Sequence, residues 1–125
     1  MIKNKKIVLT GADSGIGLEV LKILAAEESN KILAVDINCN NMDKFSDNVT
    51  PFVCDVSSQE NVDLIFNKAK KLFGKIDIFY ANAGYPYYEL MDYTDWDRTA
   101  RMFETNVYSP IYSYQKFVRH LNGRK

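Results

Sequence analysis

The chain is poor in the residues that build metal centres and disulfide frameworks. Its 125 residues contain one histidine, His120, and two cysteines, Cys39 and Cys54. A single imidazole excludes a multi-histidine metal site. Two thiols are too few, and too oddly placed, for a disulfide scaffold or a zinc site, so no metal is expected. Reduced thiols predict a cytoplasmic protein. No charge of one sign prevails: 16 basic residues balance 16 acidic ones. That excludes a broad basic surface for nucleic acid or an anionic membrane. No apolar run approaches the roughly 20 residues that span a bilayer. The start, MIKNKKIVLTG, is basic, but its apolar stretch is short and closes in glycine, which excludes a signal peptide. Repeats, low-complexity tracts and linkers are also missing, which leaves one domain, or part of one, over 1–125.

What the chain does have is an alternation of strand and helix patterns. Lys6–Thr10 reads as a strand and Gly11–Gly17 as a Gly-rich turn. Ile16, Val20, Leu21 and Leu24 then form a helical stripe. Ile32–Val35, closed by Asp36, is a second strand, residues 38–48 a loop with at most one helical turn, and Val49–Val53 a third strand. Ser57 and Glu60 have the spacing of a capping box. Behind them Val62, Ile65, Ala69 and Leu72 recur at helical spacing, and Gly74 supplies the stop. Ile76–Ala81 reads as a fourth strand. Thr94 and Asp97 suggest another capping box, ahead of an apolar face at Trp96, Ala100, Phe103 and Val107. That face continues through Ile111, Tyr114, Val118 and Leu121, with a kink or restart predicted at Pro110, which has no N–H to give. Apolar strands alternating with amphipathic helices predict a parallel sheet covered on both faces, an α/β doubly wound fold.

The turn Thr10-Gly11-Ala12-Asp13-Ser14-Gly15-Ile16-Gly17 joins the first strand to the first helix. Gly11 suits the positive φ of a tight turn. Gly15 lets a pyrophosphate approach the backbone, where helix N-terminal N–H groups favour negative charge. Gly17 allows close packing of helix on strand. Asp36, at the end of the second strand, stands where a carboxylate accepts hydrogen bonds from an adenosine ribose and repels a 2′-phosphate. NAD is therefore expected over NADP. The expected cofactor contacts are Gly11, Asp13, Ser14, Gly15, Ile16 and Gly17 of the turn, with Asp36 and Ile37 after it.

Three residues between the first two glycines of Thr-Gly-x-x-x-Gly-x-Gly resemble the phosphate turn of the short-chain dehydrogenase/reductase family. Further residues share the resemblance, in order, from Lys6 to about Leu121. Asp55-Val56 is similar to the family's Asp-Val after the third strand, Asn82-Ala83-Gly84 to its Asn-Ala-Gly motif, and Asn106 to its active-site Asn. The resemblance implies that Asp55 and Val56 meet the adenine and that Asn82, Ala83 and Gly84 lie along the cofactor. It implies that Asn106 helps hold a water in a proton relay. It also implies hydride transfer between a nicotinamide and a carbinol or carbonyl carbon, served by a Tyr acid/base, a Lys four residues on and a Ser. In the family those three lie beyond a fifth strand. This chain thus reads as the amino-terminal, NAD-binding half: a Rossmann-type sheet truncated after about four strands.

Tyr112 and Lys116 spell Tyr-x-x-x-Lys, but eight Tyr and twelve Lys in 125 residues yield about 0.8 such matches by chance. On a continuous α-helix Tyr112 would sit about 120° around and about 9 Å along from Asn106, too far to share one substrate oxygen. The pair reads as a partly exposed flank of the stripe, and Ser109 and Ser113 as equally poor stand-ins for the catalytic Ser. The Tyr-rich loop from Tyr85 to Tyr93 reads as rings covering a helix–loop junction, or as the border of a substrate pocket. Two functions follow as expectations. One is the NAD-binding portion of an oxidoreductase acting on hydroxyl or carbonyl substrates, catalytically impaired alone. The other is a non-catalytic nucleotide-binding or oligomerising module. Either leaves the fourth strand as a bare sheet edge and predicts a homo-oligomer. The substrate is not legible.

Overall fold

The computed structural model describes residues 1–88, 90–93 and 95–123. Four parallel strands, β1 (Lys6–Thr10), β2 (Lys31–Asp36), β3 (Val49–Val53) and β4 (Ile78–Tyr80), lie in the order β3-β2-β1-β4. Helix α1 (Gly15–Ala25) links β1 to β2, and α2 (Gln59–Phe73) links β3 to β4. A 3-10 turn (Met91–Tyr93), α3 (Trp96–Phe103), a π-helical segment (Glu104–Tyr108) and α4 (Ser109–Asn122) complete the chain. This is the expected α/β Rossmann-type sheet. β4 is shorter than the expected Ile76–Ala81, although the Asp77 N–H ahead of it still donates to the Lys6 carbonyl at 2.8 Å.

Alternation along the strands divides the core. Ile7, Leu9, Ile32 and Ala34 face α1, packing with Leu21, Met42 and Val49. Val8, Leu33 and Val35 face the other way, against Val62, Ile65, Phe66 and Ala69 of α2, with Tyr112 and Phe117 of α4 packed beside them. Phe66 stacks on Phe79 of β4, ring centroids 4.8 Å apart. Full burial of each such side chain contributes roughly 1.5–3 kcal/mol, which is why the strands read as continuous apolar runs.

Helix ends depart from the expected caps by one residue. Ser58, not Ser57, caps α2, its side chain accepting from the Asn61 N–H. At the other end Gly74 closes α2 at φ 78° as expected. The box expected at Thr94 falls outside the described residues; the cap seen on α3 is Asp95, whose carboxylate accepts from the Asp97 N–H. Residues 38–48 form turns without a helix. The apolar stripes also need correction. Ile16 is 73% exposed in the glycine turn, and Leu72 is exposed because Phe66 and Phe73 take the inward positions on α2.

The largest correction concerns the last helices. Trp96, Phe103, Val107, Ile111, Tyr114 and Leu121, expected to be a core face, are exposed, Trp96 at 75% and Ile111 at 52%. The face that docks on α2 carries Tyr112, Lys116 and Phe117 instead, so the former two are not a mere flank. The break at Pro110 is real and takes a specific form. An α-helical Pro110 would drive its ring at the carbonyl of Asn106. The helix widens instead into a π segment, in which the Ser109 N–H donates to the Glu104 carbonyl, and α4 restarts with proline in its first turn. Trp96, Phe103, Val107, Ile111, Tyr114 and Leu121 leave an exposed apolar seam running along α3, the π segment and α4.

Candidate functional site

Parallel strands bring the loops after β1, β2, β3 and β4 to one edge of the sheet. The chain winds outward from β1 through β2 to β3, then returns to place β4 on the far side of β1. Such a reversal leaves a crevice at the carboxyl ends of the strands.

Thr10, the last residue of β1, ties the crevice together. Its hydroxyl oxygen accepts from the backbone N–H groups of Asn82 and Ala83, both at 3.1 Å, and the Asn82 side-chain amide donates to the Gly11 carbonyl at 3.3 Å. The turn is pressed so close to these groups that Gly11 and Gly17 are obligatory. A Cβ on Gly17 would stand 1.8 Å from the Gly11 oxygen, and one on Gly11 (φ 67°) 2.9 Å from the Ala83 Cα. Gly15 is different: φ is 55°, yet a Cβ there would meet nothing within 4 Å. Beside it Ser14 precedes α1 without a side-chain capping bond, and the first turn of α1 carries no acidic residue. These amides have no side-chain oxygen over them, an arrangement that suits an anion.

Asp36 ends β2 next to this turn, its Oδ2 accepting from the Asp13 N–H at 2.9 Å and its Oδ1 from the Asn38 N–H at 3.3 Å. Ile37 follows it, exposed. Asp13 itself is turned away from the open side of the turn. Only 3% exposed, its carboxylate accepts from the N–H groups of Asn40, Asn41 and Met42. Burial pushes this carboxyl up, but those three N–H groups and nearby Lys44 outweigh burial and hold it below the ordinary value. Asp55 is exposed beyond β3 and accepts from the Ser57 N–H, whereas the Val56 side chain is buried in the α2-face core.

On the far side of the crevice, Asn106 lies in the π segment. Its Oδ1 accepts from the Tyr85 N–H at 3.0 Å and its Nδ2 donates to the Tyr85 carbonyl at 2.7 Å. A Cβ on Gly84 would come within 3.0 Å of that same Oδ1. Ala81 to Pro86, Asn106 and Pro110 line an open cleft of about 530 Å³. The rings of Tyr88 and Tyr93 are largely in solvent, so they do not cover a junction; Tyr87 lies under the Arg98 guanidinium, 5.2 Å from its ring centroid.

Tyr112 and Lys116 are held elsewhere. The Tyr112 hydroxyl donates to Asp63 of α2 at 2.7 Å, and the Lys116 ammonium meets the same oxygen at 2.8 Å. Asp63, and burial after it, push the Tyr112 phenol up, the opposite of what a general base at neutral pH requires. Ser109 and Ser113 are buried. Both thiols are free, and burial raises them, Cys39 with help from Asp43 and Cys54 from Asp55. Among the described residues no cluster of three or more His, Cys, Asp or Glu could hold a metal, and no helix is long and apolar enough to cross a membrane. Sequence reasoning missed two residues of the site. The sequence marks Thr10 only as the start of the turn, and Tyr85 only as part of a ring-rich loop. The first has a local signal, its place before Gly11; the second has none, since Asn106 holds its backbone.

The comparisons with known proteins agree with this fold. The family model for short chain dehydrogenase matches residues 5–125. The uncharacterized oxidoreductase YxnA of Bacillus subtilis is 34% identical over 98% of this chain and 36% of its own length. The 3-oxoacyl-[acyl-carrier-protein] reductase FabG of Thermotoga maritima is 30% identical over 77% of this chain and 43% of its own. Among solved structures, a 3-ketoacyl-(acyl-carrier-protein) reductase of Brucella melitensis, complexed with NADH, superposes with a TM-score of 0.82 at 25% identity. It covers 91% of this chain and 49% of its own. The chain thus spans less than half the length of each of these three proteins.

Proposed function

The chain belongs to the short-chain dehydrogenase family, and from that premise we propose that it is the NAD-binding part of an oxidoreductase for hydroxyl or carbonyl compounds. The observation that carries the reading is the open, uncapped start of α1 beside Gly15, with the Asp36 carboxylate one strand away. Donors without side-chain partners suit the pyrophosphate, and an acid at the end of β2 suits ribose hydroxyls and opposes a 2′-phosphate. In this assignment Gly11, Ser14, Gly15, Ile16 and Gly17 receive the pyrophosphate through the backbone, and Asp13 contributes no side-chain contact. Asp36 and Ile37 hold the adenosine ribose, and Asp55 and Val56 border the adenine through the backbone and the exposed acid. Asn82, Ala83 and Gly84 form the floor, while Asn106 orients the Tyr85 backbone and polar groups in the cleft. A bound dinucleotide supplies hydride transfer; this chain's residues bind and orient it. Fluorescence titration with NADH tests the proposal. Saturable binding, at least tenfold tighter than for NADPH, is expected, and its absence overturns it.

The capture of Tyr112 and Lys116 by Asp63 favours low turnover for the 125-residue chain alone, and oxidation of a panel of alcohols by that chain would contradict this. The exposed seam from Trp96 to Leu121 supports self-association. Two copies packed antiparallel would bring the acidic start of one α3, Asp95 and Asp97, beside Arg119 at the basic end of the other's α4. A second reading, a nucleotide-binding module that assembles through this seam without catalysis, rests on the same two observations.

A further inference from the structure

An acid in the middle of a turn built for phosphates is out of place electrostatically. Asp13 lies between Gly11 and Gly15, where a free carboxylate would repel the ligand that the turn favours. The fold removes the conflict by aiming it elsewhere. Asp13 Oδ1 accepts from the N–H groups of Asn40, Asn41 and Met42 at 2.9, 2.7 and 2.9 Å, and Oδ2 shares the Asn40 N–H at 3.0 Å. Three successive backbone N–H groups converging on one point form a nest, a concavity suited to anions. Here the anion is internal.

The same residue is bonded on its other sides. Its N–H holds Asp36 Oδ2 at 2.9 Å, and its carbonyl accepts from the Asn41 side-chain amide at 3.0 Å. The Ala12 N–H just before it donates to the Val35 carbonyl. Met42, at the end of the nest, is fully buried in the α1-face core. The segment from Asp36 to Met42 is therefore clamped at both ends, by Asp13 and by the core. Without the Asp13 carboxylate, a nest of amides within six residues of Asp36 would be vacant, with Lys44 close by. Such a nest offers backbone donors and a nearby cation, the groups that bind a 2′-phosphate, and its first residue, Asn40, is exposed.

We propose that Asp13 is a positioning and specificity-determining residue, an internal anion that fills the 40–42 nest, pins Asp36 and so disfavours dinucleotides carrying a 2′-phosphate. This deepens the NAD reading above and rests on it. Asp36 repels the phosphate directly; Asp13 denies it the donors.

The test compares the unsubstituted chain with Asp13→Ala and the near-isosteric Asp13→Asn by amide hydrogen exchange and by NADH and NADPH titration. In Asp13→Ala the amides of 40–42 should exchange about tenfold faster or more, as expected for losing charge-assisted bonds. The NADH-over-NADPH preference should fall about tenfold or more. Formate, a carboxylate small enough for the vacated nest, should restore protection at 40–42 in Asp13→Ala. Asp13→Asn keeps one acceptor and should lie between the two. A loss of stability alone would weaken both dinucleotides equally and leave their ratio unchanged, so the ratio separates positioning from mere folding. Unchanged protection at 40–42, or a ratio changed less than about twofold, overturns the proposal. Should Asp13→Ala fail to fold, the same two readouts on Asp13→Asn decide. Failure of the unsubstituted chain to bind either dinucleotide would sink the NAD reading and the preference together. Normal NADH binding with an unaltered ratio would sink the preference alone.

Discussion

The junction of β1, the glycine turn and β4 contrasts with the arm formed by α3, the π segment and α4. At the junction polar groups are spent internally, Thr10 on Asn82 and Ala83, Asp13 on Asn40 to Met42, and there is no room for a methyl group on Gly17. Along the arm the reverse holds: Trp96, Tyr108, Ile111 and Tyr114 show apolar surface to solvent, and α3 buries no residue fully. Helical periodicity is present in both regions. Burial depends on whether a partner surface is present, and among the described residues α4 finds one only on its Tyr112–Phe117 side. A closely packed, internally bonded junction thus adjoins an arm with exposed apolar surface.

Five substitutions or conditions would break or sharpen that contrast. The largest effect is expected for Phe66→Ala, which empties the stack on Phe79 beneath α2. Urea unfolding should report a loss of about 3–5 kcal/mol; a loss below about 1 kcal/mol would mean that the α2 face is not packed as described. Next comes Gly17→Ala. The new Cβ overlaps the Gly11 carbonyl, so α1 must move off β1, at a cost of about 1–3 kcal/mol or more. NADH binding should be lost with it. Gly15→Ala, facing open space, should keep nearly all stability apart from about 1 kcal/mol of backbone strain, yet also weaken NADH, because it stands where the pyrophosphate is proposed.

Acid should come fourth. Asp13 is held below its ordinary value despite burial, by the Asn41, Asn40 and Met42 N–H groups, and Asp63 is held low by Lys116 and Tyr112. Both folded values lie under the unfolded one near 3.8. Their stabilisation is therefore complete above that pH and is lost as pH falls through the folded values. Circular dichroism should show stability decreasing below pH about 4, with a flatter slope for Asp13→Asn; an identical slope would remove Asp13 from the explanation. The smallest effect on the single chain is expected for Ile111→Gln, within about 0.5 kcal/mol, since the residue is exposed. Light scattering should nevertheless show its mass falling to that of one chain. A large stability loss, or an unchanged mass, would mean that the seam is not a contact between copies.

Much of the fold was legible. Continuous apolar runs such as Ile32–Val35 can lie only inside a sheet covered on both faces, and Gly74 after Leu72 and Phe73 marks a helix end that needs positive φ. The glycine spacing after Thr10 also located the candidate site, because close backbone approach leaves no other residue possible at Gly11 and Gly17. Side-chain direction was less legible. Asp13 sits in the motif like a cofactor contact, but its carboxylate is captured by a loop 27 to 29 residues away. Val56 points into the core rather than toward the crevice. The arm misled for a related reason: periodicity identifies an apolar face without saying what covers it, so the seam read as core while Tyr112 and Phe117 made the actual contact.

Local chemistry in the sequence therefore determined the order of elements, the parallel sheet and the position of the glycine turn, since each follows from residues a few places apart. Tertiary structure alone decided which carboxylate faces the crevice, which face of α4 docks, and that Tyr112 and Lys116 serve Asp63. Those outcomes depend on groups distant in the chain competing for the same donors and the same apolar surface, and only the assembled sheet brings the competitors together.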